Sequence, residues 1–335
     1  MKIRTVLVPL TMPLVLAACL GGGGGGGGSG WRNFTSFDNI NPNQRVQFQS
    51  GGGSVNYAAD VVGDDISRDG EISNEGARLR VRFGDEDPIT QEIAVDSLEL
   101  TVNLPDGSES GTFDGQNIAD VGAGPAADRF IVAETTVPGA NQGDPDIVTD
   151  RLYVDDNEVL ALEYMTFGLW ELGLDQAAVD IGGAAFGALT PATGTDSMPT
   201  TGTASYDGDL IGYNVLADST TIYVADSQID ADFDTAEVTF SSTNTTDLTG
   251  AANPGFDLLP TTGTIDGNTF SGDGLTIADL AGQAGDPDSG SFGGAFFGPS
   301  AAEAGGWFEM RNISQPEGTQ DRYFGSFGAA ETPIP

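Results

Sequence analysis

Short runs in which apolar and polar residues alternate recur along most of the chain. The clearest covers residues 97–104, where leucine and valine alternate with serine, glutamate, threonine and asparagine. Because successive side chains of a strand point to opposite faces, this run has one apolar face and one polar face. Helical periodicity is scarce. The pattern predicts an all-β protein.

Four alternating runs precede a break in the pattern near residue 139. The run at 78–83 puts Arg78, Arg80 and Arg82 on one strand face, and further runs lie at 97–104, 111–118 and 129–134. They predict a small, handle-like N-terminal β-domain over residues 31–138. Residues 139–146 are rich in Gly, Pro and Asp and have no periodicity, so we expect a linker over residues 139–150.

Strand signals are almost continuous after the expected linker. Eight antiparallel strands joined by turns close into an up-and-down barrel, which removes the exposed edges of an open sheet. We therefore expect an eight-stranded antiparallel β-barrel over residues 151–335, filled by its own side chains. The eight runs are 163–172, 203–214, 221–233, 236–242, 263–277, 291–298, 303–311 and 323–329.

The first residues carry an export signal. Lys2 and Arg4 precede an apolar stretch at 6–18 that is too short and too interrupted by proline to span a bilayer. The segment Leu16-Ala17-Ala18-Cys19 resembles the bacterial lipobox, and Cys19 is the only cysteine. We expect a lipoprotein signal peptide at residues 1–18 and lipidation, including palmitate, at Cys19. The alternative is a plain secretory signal with an incidental cysteine.

A glycine-rich tether follows the expected lipid anchor. Eight consecutive glycines at 21–28 are followed by Ser29 and Gly30, and we expect these ten residues to form a flexible coil that reaches about 17 Å. With the lipidated Cys19, the expected tether covers residues 19–30. In bacterial lipoproteins, the absence of Asp directly after the lipidated Cys implies the outer membrane, and glycine tethers resemble those of surface-displayed members. We expect an outer-membrane, lipid-anchored protein that faces the exterior.

The charge balance excludes several chemistries. The chain has 50 Asp and Glu, 12 Lys and Arg and no His, for a formal net charge of −38. Without His there is no imidazole base and no His-ligated zinc or haem. Loss of Lys2 and Arg4 with the signal peptide takes the net charge to −40. Binding of nucleic acid or anionic lipid through overall charge is disfavoured, so we expect contact with a membrane through the lipid anchor alone.

Three sets of residues could carry chemistry. Asp230, Asp232 and Asp234 alternate on one strand, but the EF-hand template fails because Thr235 and Ser241 stand where it needs Gly and Glu. The arginines at 78, 80 and 82 could bind an anion, although pairing with neighbouring acids is the more favoured interpretation. Paired carboxylates could hydrolyse glycosides, but nothing singles out one pair. We therefore predict no catalytic residues, no metal and no cofactor.

Ordered motifs in the second half of the chain resemble a known family. They resemble the β-barrel of the transferrin-binding protein B family, which factor H-binding protein and neisserial heparin-binding antigen share. The motifs occupy residues 164–329, about half of the chain, and no specific match is found for residues 31–138. They are Tyr164 to Trp170, Met198 to Gly208, Ile229 to Phe233, Gly263 to Ile265 with Phe270 to Gly272, Gly293 to Pro299, Ala302 to Phe308 and Phe324 to Ala329.

The resemblance implies a binding protein rather than an enzyme. Relatives capture host iron carriers, haem carriers or complement regulators through variable loops, so no ligand-binding residue is transferred here. The partner is an unknown protein or small molecule, no nucleic acid is expected, and we expect a monomer. The rival interpretation is a structural or adhesive surface lipoprotein without a soluble ligand. Haem ligation by tyrosine stays open at Tyr153, Tyr164, Tyr206, Tyr213, Tyr223 and Tyr323.

One motif also has a local physical interpretation. Ser300-Ala301-Ala302-Glu303 fits a capping box, with Pro299 before it and two glycines after it. The pattern predicts a single helical turn in which Ser300 and Glu303 cap each other's backbone amides. Glu303 is then a structural residue rather than an acid catalyst or a metal ligand.

Overall fold

The computed structural model describes residues 30–62, 65–67, 70–86, 93–104, 107–114, 117–121, 129–138, 147–156, 160–174, 176–215, 220–278, 288–312 and 321–332. This part of the chain is all-β, as predicted, and contains no α-helix; its helical turns are short 3-10 segments such as Phe37–Asn39 and Pro299–Ala301. No helix within these ranges has the length and apolar character needed to cross a membrane. The signal peptide, Cys19 and the tether up to Ser29 lie outside the described residues.

The N-terminal half forms one large sheet of thirteen strands. The strands are β1 (Arg32–Asn33), β2 (Arg45–Ser50), β3 (Val55–Val62), β4 (Asp65–Ile66), β5 (Glu71–Ser73), β6 (Ala77–Glu86), β7 (Ile93–Leu104), β8 (Gly107–Asp114), β9 (Ile118–Asp120), β10 (Phe130–Val137), β11 (Ile147–Asp155), β12 (Met165–Leu172) and β13 (Ala178–Gly187).

This sheet curls until its two ends nearly meet. Its main path runs β8-β7-β6-β2-β13-β12-β11-β10-β9. Strands β2 and β13 are therefore neighbours in the sheet, although most of the sequence of this half lies between them. The Thr135 hydroxyl of β10 donates a hydrogen bond of 2.8 Å to the Thr112 carbonyl of β8. The sheet is therefore barrel-like but not fully closed.

The C-terminal half is a closed eight-stranded antiparallel barrel in which each strand pairs with the next and β14 pairs with β21. Its strands are β14 (Thr203–Val215), β15 (Thr220–Asp232), β16 (Glu237–Asp247), β17 (Thr261–Asp266), β18 (Thr269–Asp273), β19 (Asp288–Phe297), β20 (Glu303–Asn312) and β21 (Arg322–Glu331). The predicted fold class is confirmed.

Three hydrophobic clusters hold these parts together. One fills the N-terminal sheet, with Phe48, Phe83 and Trp170 among its members. A second fills the barrel. The third lies between the N-terminal sheet and the outer wall of the barrel, and it joins side chains such as Phe167 and Phe324 from the two halves.

Strand β12 shows how one sequence pattern serves two cores. All eight of its residues are buried. Met165, Phe167 and Leu169 point into the cluster against the barrel, whereas Trp170 and Leu172 point into the N-terminal core. The alternation seen in the sequence is therefore real, but both of its faces are covered.

The structure divides the chain at a different place from the predicted linker. Strands β11, β12 and β13 belong to the N-terminal sheet, which ends at Gly187, and the barrel begins at Thr203. Residues 139–146 lie outside the described part, and residues 147–150 already belong to β11. A Gly/Pro/Asp cluster marks a loop between strands as readily as one between domains, and nothing local identifies the sheet that a following strand joins.

The predicted number of barrel strands is correct, but the structure builds the barrel from a different set of strands. The run at 163–172 lies in the N-terminal sheet, while the run at 263–277 supplies two barrel strands, β17 and β18. They pair as a hairpin around Gly267, which has φ +62°. Asp266 pairs with Thr269, so Gly267 and Asn268 form a two-residue loop, and Gly-Asn is a dipeptide typical of such hairpins.

Candidate functional site

The barrel interior is filled by aromatic side chains. Phe240 is fully buried, and its ring centroid lies 4.1 Å from that of Phe327 and 5.4 Å from that of Phe292. The Tyr206 hydroxyl, also inside, donates to the Ala301 carbonyl at 2.8 Å. This packing leaves the outer surface, the loops and the junction of the two halves as the places where a ligand could bind.

Glu303 fastens the N-terminal half to the barrel. The backbone N–H groups of Glu163 and Tyr164 donate to its two carboxylate oxygens at 2.5 and 2.9 Å. Burial raises the pKa of Glu303 to about 7, although these two hydrogen bonds act to lower it. Glu303 is thus structural, as expected, but it joins two domains rather than capping a turn.

The predicted capping box is absent. Pro299–Ala301 does form a 3-10 turn, but Gly298 occupies the N-cap position without a side-chain hydrogen bond. Ser300 lies in the left-handed region at φ 57°, and Glu303 begins strand β20. The extended backbone at Glu303 directs its carboxylate to the neighbouring domain, so it cannot return to Ser300.

A second buried acid lies in the same junction. Glu171 of β12 is 3 % exposed and approaches Arg151 Nη1 at 3.7 Å. Burial raises its pKa, while Arg151, Tyr213 and Tyr153 act in the opposite direction. Tyr213 belongs to the barrel, so this polar cluster also spans the two halves.

Arg129 forms a third polar link between the halves. It comes just before β10 and reaches Asp209 at 3.0 Å and Asp226 at 2.7 Å on the barrel wall. Burial raises the pKa of Asp209 to about 6, with Arg129 lowering it and Asp226 raising it. The sequence offered one signal for such residues, namely a lone acid inside an apolar strand, as at Glu171.

Two open clefts flank this junction. One, of about 370 Å³, lies between Leu160 and barrel strands β14, β15 and β16. The other, of about 400 Å³, lies between the β5 region and strands β20 and β21, where Glu309, Arg311 and Arg322 line it. Burial raises the pKa of Glu309 and lowers that of Arg322. The second cleft carries charges of both signs, whereas the charged residues that line the first, Asp207 and Asp226, are both acidic.

The arginine row of β6 forms as predicted, and two of its members are paired. Arg80 lies 2.8 Å from Glu99, and Arg82 lies 3.4 Å from Asp96. The intramolecular interpretation is confirmed for these two. Within the described part of the chain Arg78 forms no ion pair.

The three aspartates at 230, 232 and 234 take part in local hydrogen bonds, and Asp234 lies in the turn after β15 rather than on the strand. Asp230 accepts from the Ser205 hydroxyl at 2.6 Å. Asp232 accepts from the backbone N–H of Asp234 at 2.9 Å, and Asp234 accepts from that of Gly202 at 2.9 Å. Among the residues that the structure describes, no group of three acidic or cysteine side chains is arranged to hold a metal ion.

The tyrosines considered for haem are packed into the protein. Tyr153, Tyr206, Tyr213, Tyr223 and Tyr323 are buried, and Tyr164 is half-buried beside Glu303. Burial raises the pKa of each of them, to about 12 for Tyr164. A phenolate is the form that ligates haem iron, so none of these sites favours haem.

Comparison with known proteins agrees with the motifs. Residues 198–331 match the family model described as the C-lobe and N-lobe beta barrels of transferrin-binding protein B. No curated protein sequence matches the chain.

Several solved structures are similar in fold. The haemoglobin receptor HpuA from Kingella denitrificans is 17 % identical with a TM-score of 0.41, covering 90 % of this chain and 93 % of that one. A double mutant of transferrin binding protein B from Haemophilus parasuis is 14 % identical with a TM-score of 0.42, covering 88 % and 77 %. Transferrin binding protein B from Neisseria meningitidis is 14 % identical with a TM-score of 0.35, covering 87 % and 77 %.

The family match and the strand pairing concern the same part of the chain. The matched residues begin just before β14 and end with β21, so they include the whole closed barrel. The C-terminal barrel of this chain therefore matches the barrel model of transferrin-binding protein B, as the sequence motifs predicted.

Proposed function

We propose that this protein is a surface-exposed outer-membrane lipoprotein, anchored through Cys19, that binds a protein ligand on its exterior and performs no catalysis. The lipobox-like segment and the glycine tether support the anchor. The match to the barrel model of transferrin-binding protein B supports the binding role.

The proposal of a protein ligand rests on the packed interior of the barrel. Its interior is packed with aromatic side chains such as Phe240 and Phe327, so we place binding on the outer surface, the loops and the open clefts. An exposed surface of this kind is accessible to a protein partner. Iron-carrier proteins are the first probes, because similar structures include a haemoglobin receptor and transferrin-binding proteins.

The ligand is tested with the exported chain carrying Cys19→Ser, immobilised at its N-terminus. Transferrin, haemoglobin and serum albumin are passed over it in turn. We expect saturable binding of transferrin or haemoglobin and none of albumin. If neither iron carrier binds, the structural or adhesive interpretation replaces this one.

The anchor is tested separately in a bacterial host that lipidates exported proteins. We expect labelled palmitate to enter the wild-type chain and membrane fraction, and to be lost on Cys19→Ser. An unlabelled wild-type chain released in soluble form contradicts the anchor without affecting the ligand assay.

A further inference from the structure

Basic side chains are concentrated on one outward face of the N-terminal sheet. We define the arginine face as Arg45, Arg78, Arg80 and Arg82, which belong to β2 and β6. Strand pairing sets Arg82 beside Arg45. Arg32 pairs with the buried Val46 and so lies on the opposite face. The four arginines are among only ten basic residues that follow Cys19, in a chain with 50 acids. Such a concentration makes this face less negative than the rest of the protein.

Part of this positive charge is not neutralised by the protein. Arg80 and Arg82 have acidic partners at 2.8 and 3.4 Å. Over the described ranges, Arg45 and Arg78 form no ion pair. Arg45 is also exposed. The face therefore presents guanidinium groups to an external anion, and a guanidinium binds phosphate oxygens through paired hydrogen bonds.

Trp31 lies in the middle of this face. The guanidinium carbons of Arg80 and Arg45 lie 5.2 and 6.0 Å from the centre of its ring. Trp and Arg together are the residues that proteins place at the level of lipid headgroups. The combination suits a phosphate-bearing lipid surface better than a purely polar anion site.

The position of the face in the chain points to the same surface. Trp31 comes directly after the predicted tether, whose last residue, Gly30, lines an open cleft with Arg45. The arginine face therefore lies next to the point where the predicted tether joins the folded body.

We propose that the arginine face docks against the anionic lipid phosphates of the membrane that carries the anchor. This inference rests on the proposed lipid anchor and goes beyond it, since the anchor alone leaves the orientation of the body free. The net charge of −38 repels an anionic surface, so docking needs the tether to hold the body close. The arginine face then selects the orientation, with the acidic barrel turned away from the membrane. A loosely held acidic protein is the less favoured partner, because the tether directs this face to the membrane.

The experiment uses the exported chain coupled through Cys19 to a maleimide lipid in vesicles. Because Cys19 is the only cysteine, coupling is specific and does not depend on lipidation in the cell. Vesicles are made of phosphatidylcholine, with or without about one-third phosphatidylglycerol, and a headgroup nitroxide quenches tryptophan fluorescence. Trp170 is fully buried and Trp307 is 8 % exposed, so quenching reports mainly on Trp31.

We expect quenching on anionic vesicles to be about twice that on neutral ones, and the ratio to fall towards one in high salt. The double variant Arg45→Gln/Arg78→Gln changes the two residues of the face that form no ion pair over the described ranges, and it should bring the ratio to one. Arg311→Gln, on the barrel, should leave it unchanged. Trp31→Phe should remove the signal.

Two outcomes would overturn the proposal. One is equal quenching on neutral and anionic vesicles for the wild-type chain. The other is a signal that disappears when the protein is diluted on the vesicle surface, which would instead indicate contact between copies. Neither outcome depends on palmitate labelling, so failure of docking and failure of the anchor are distinguished.

Discussion

Buried carboxylates form several of the polar contacts between the two halves of the molecule. Glu303 and Asp209 lie on the barrel and meet the N-terminal half, and burial raises their pKa values to about 7 and about 6. A protonated carboxyl is tolerated in such a place, whereas an ionised one depends on its hydrogen bonds or its arginine. The junction is therefore sensitive to pH near neutrality.

This sensitivity has a definite sign for Glu303. Its pKa in the folded protein, about 7, lies above the ordinary value of 4.5 in the unfolded chain. The folded state thus binds the extra proton between these two pH values, and its stability falls as the pH rises through this window. The wild-type chain should lose about 3 kcal/mol relative to Glu303→Gln between pH 4.5 and pH 7.

Denaturant unfolding of both proteins across this pH range measures that difference. Glu237→Gln, an exposed barrel residue, is the matched control and should show no such trend. A stability difference between wild type and Glu303→Gln that stays constant with pH would contradict the role assigned to Glu303.

One glycine allows the two halves to approach at backbone distance. A Cβ on Gly183 of β13 would lie 2.8 Å from the carbonyl carbon of Gly325 and 3.0 Å from the amide nitrogen of Ser326. Ser326 also donates to the Gly168 carbonyl at 2.7 Å, which fixes this contact. The small residues in the family motifs thus serve domain packing as well as barrel curvature.

Gly183→Ala should therefore destabilise the protein by about 1–3 kcal/mol, because rigid backbone must move to admit the methyl group. Gly76→Ala is the control, since its Cβ would meet only ordinary contacts at 3.6 Å or more. Thermal unfolding of the two variants measures the contrast. Equal melting temperatures of the two variants would contradict the prediction, because they would show that the backbone at the junction moves without cost.

At the scale of whole elements, the local alternation of apolar and polar residues predicted where strands lie far better than which strands pair. Residues 97–104 form the end of β7 with Leu98, Leu100 and Val102 buried, as the alternation required. Strand β12 was equally clear, yet it pairs with β11 and β13 rather than with barrel strands. Pairing depends on contacts distant in sequence, such as Ser50 with Phe186, and no local period encodes them.

The same limit applies to the candidate site. The arginine row was visible because its members are two residues apart, whereas Trp31 and Arg45 join it only through folding. Glu303 was noticed as a structural residue, but its partners are backbone amides 139 and 140 positions away. A backbone N–H group is present whatever the residue type, so the sequence cannot indicate that Glu163 and Tyr164 are the donors.

The packed interior of the barrel predicts a large loss of stability when one aromatic side chain is removed from a barrel strand. Phe240 of β16 is fully buried and stacks on Phe327 of β21 across the interior. Phe240→Ala should cost about 3–5 kcal/mol through lost burial and the cavity that remains. Val137→Ala, at an exposed position of β10, should cost little. Denaturant midpoints of the two variants test whether the barrel is packed or hollow.

The whole molecule is dominated by its negative charge. A net charge of −38 makes self-repulsion the larger electrostatic effect in the folded state. Raising NaCl from about 0.01 M to about 1 M shortens the Debye length from about 30 Å to about 3 Å. The melting temperature should then rise by about 5 °C, as seen by calorimetry. A falling value would show that ion pairs such as Arg129 with Asp209 outweigh repulsion.

The last strand has a consequence for the order of folding. β21 pairs with β14 to close the barrel, and its Ser326 reaches the N-terminal sheet. Until these ten residues are available to the rest of the chain, β14 and β20 keep open edges and the junction is incomplete. A chain built in this way completes its native structure only when almost its full length is present, and a copy cut short before residue 322 would be exposed to proteolysis.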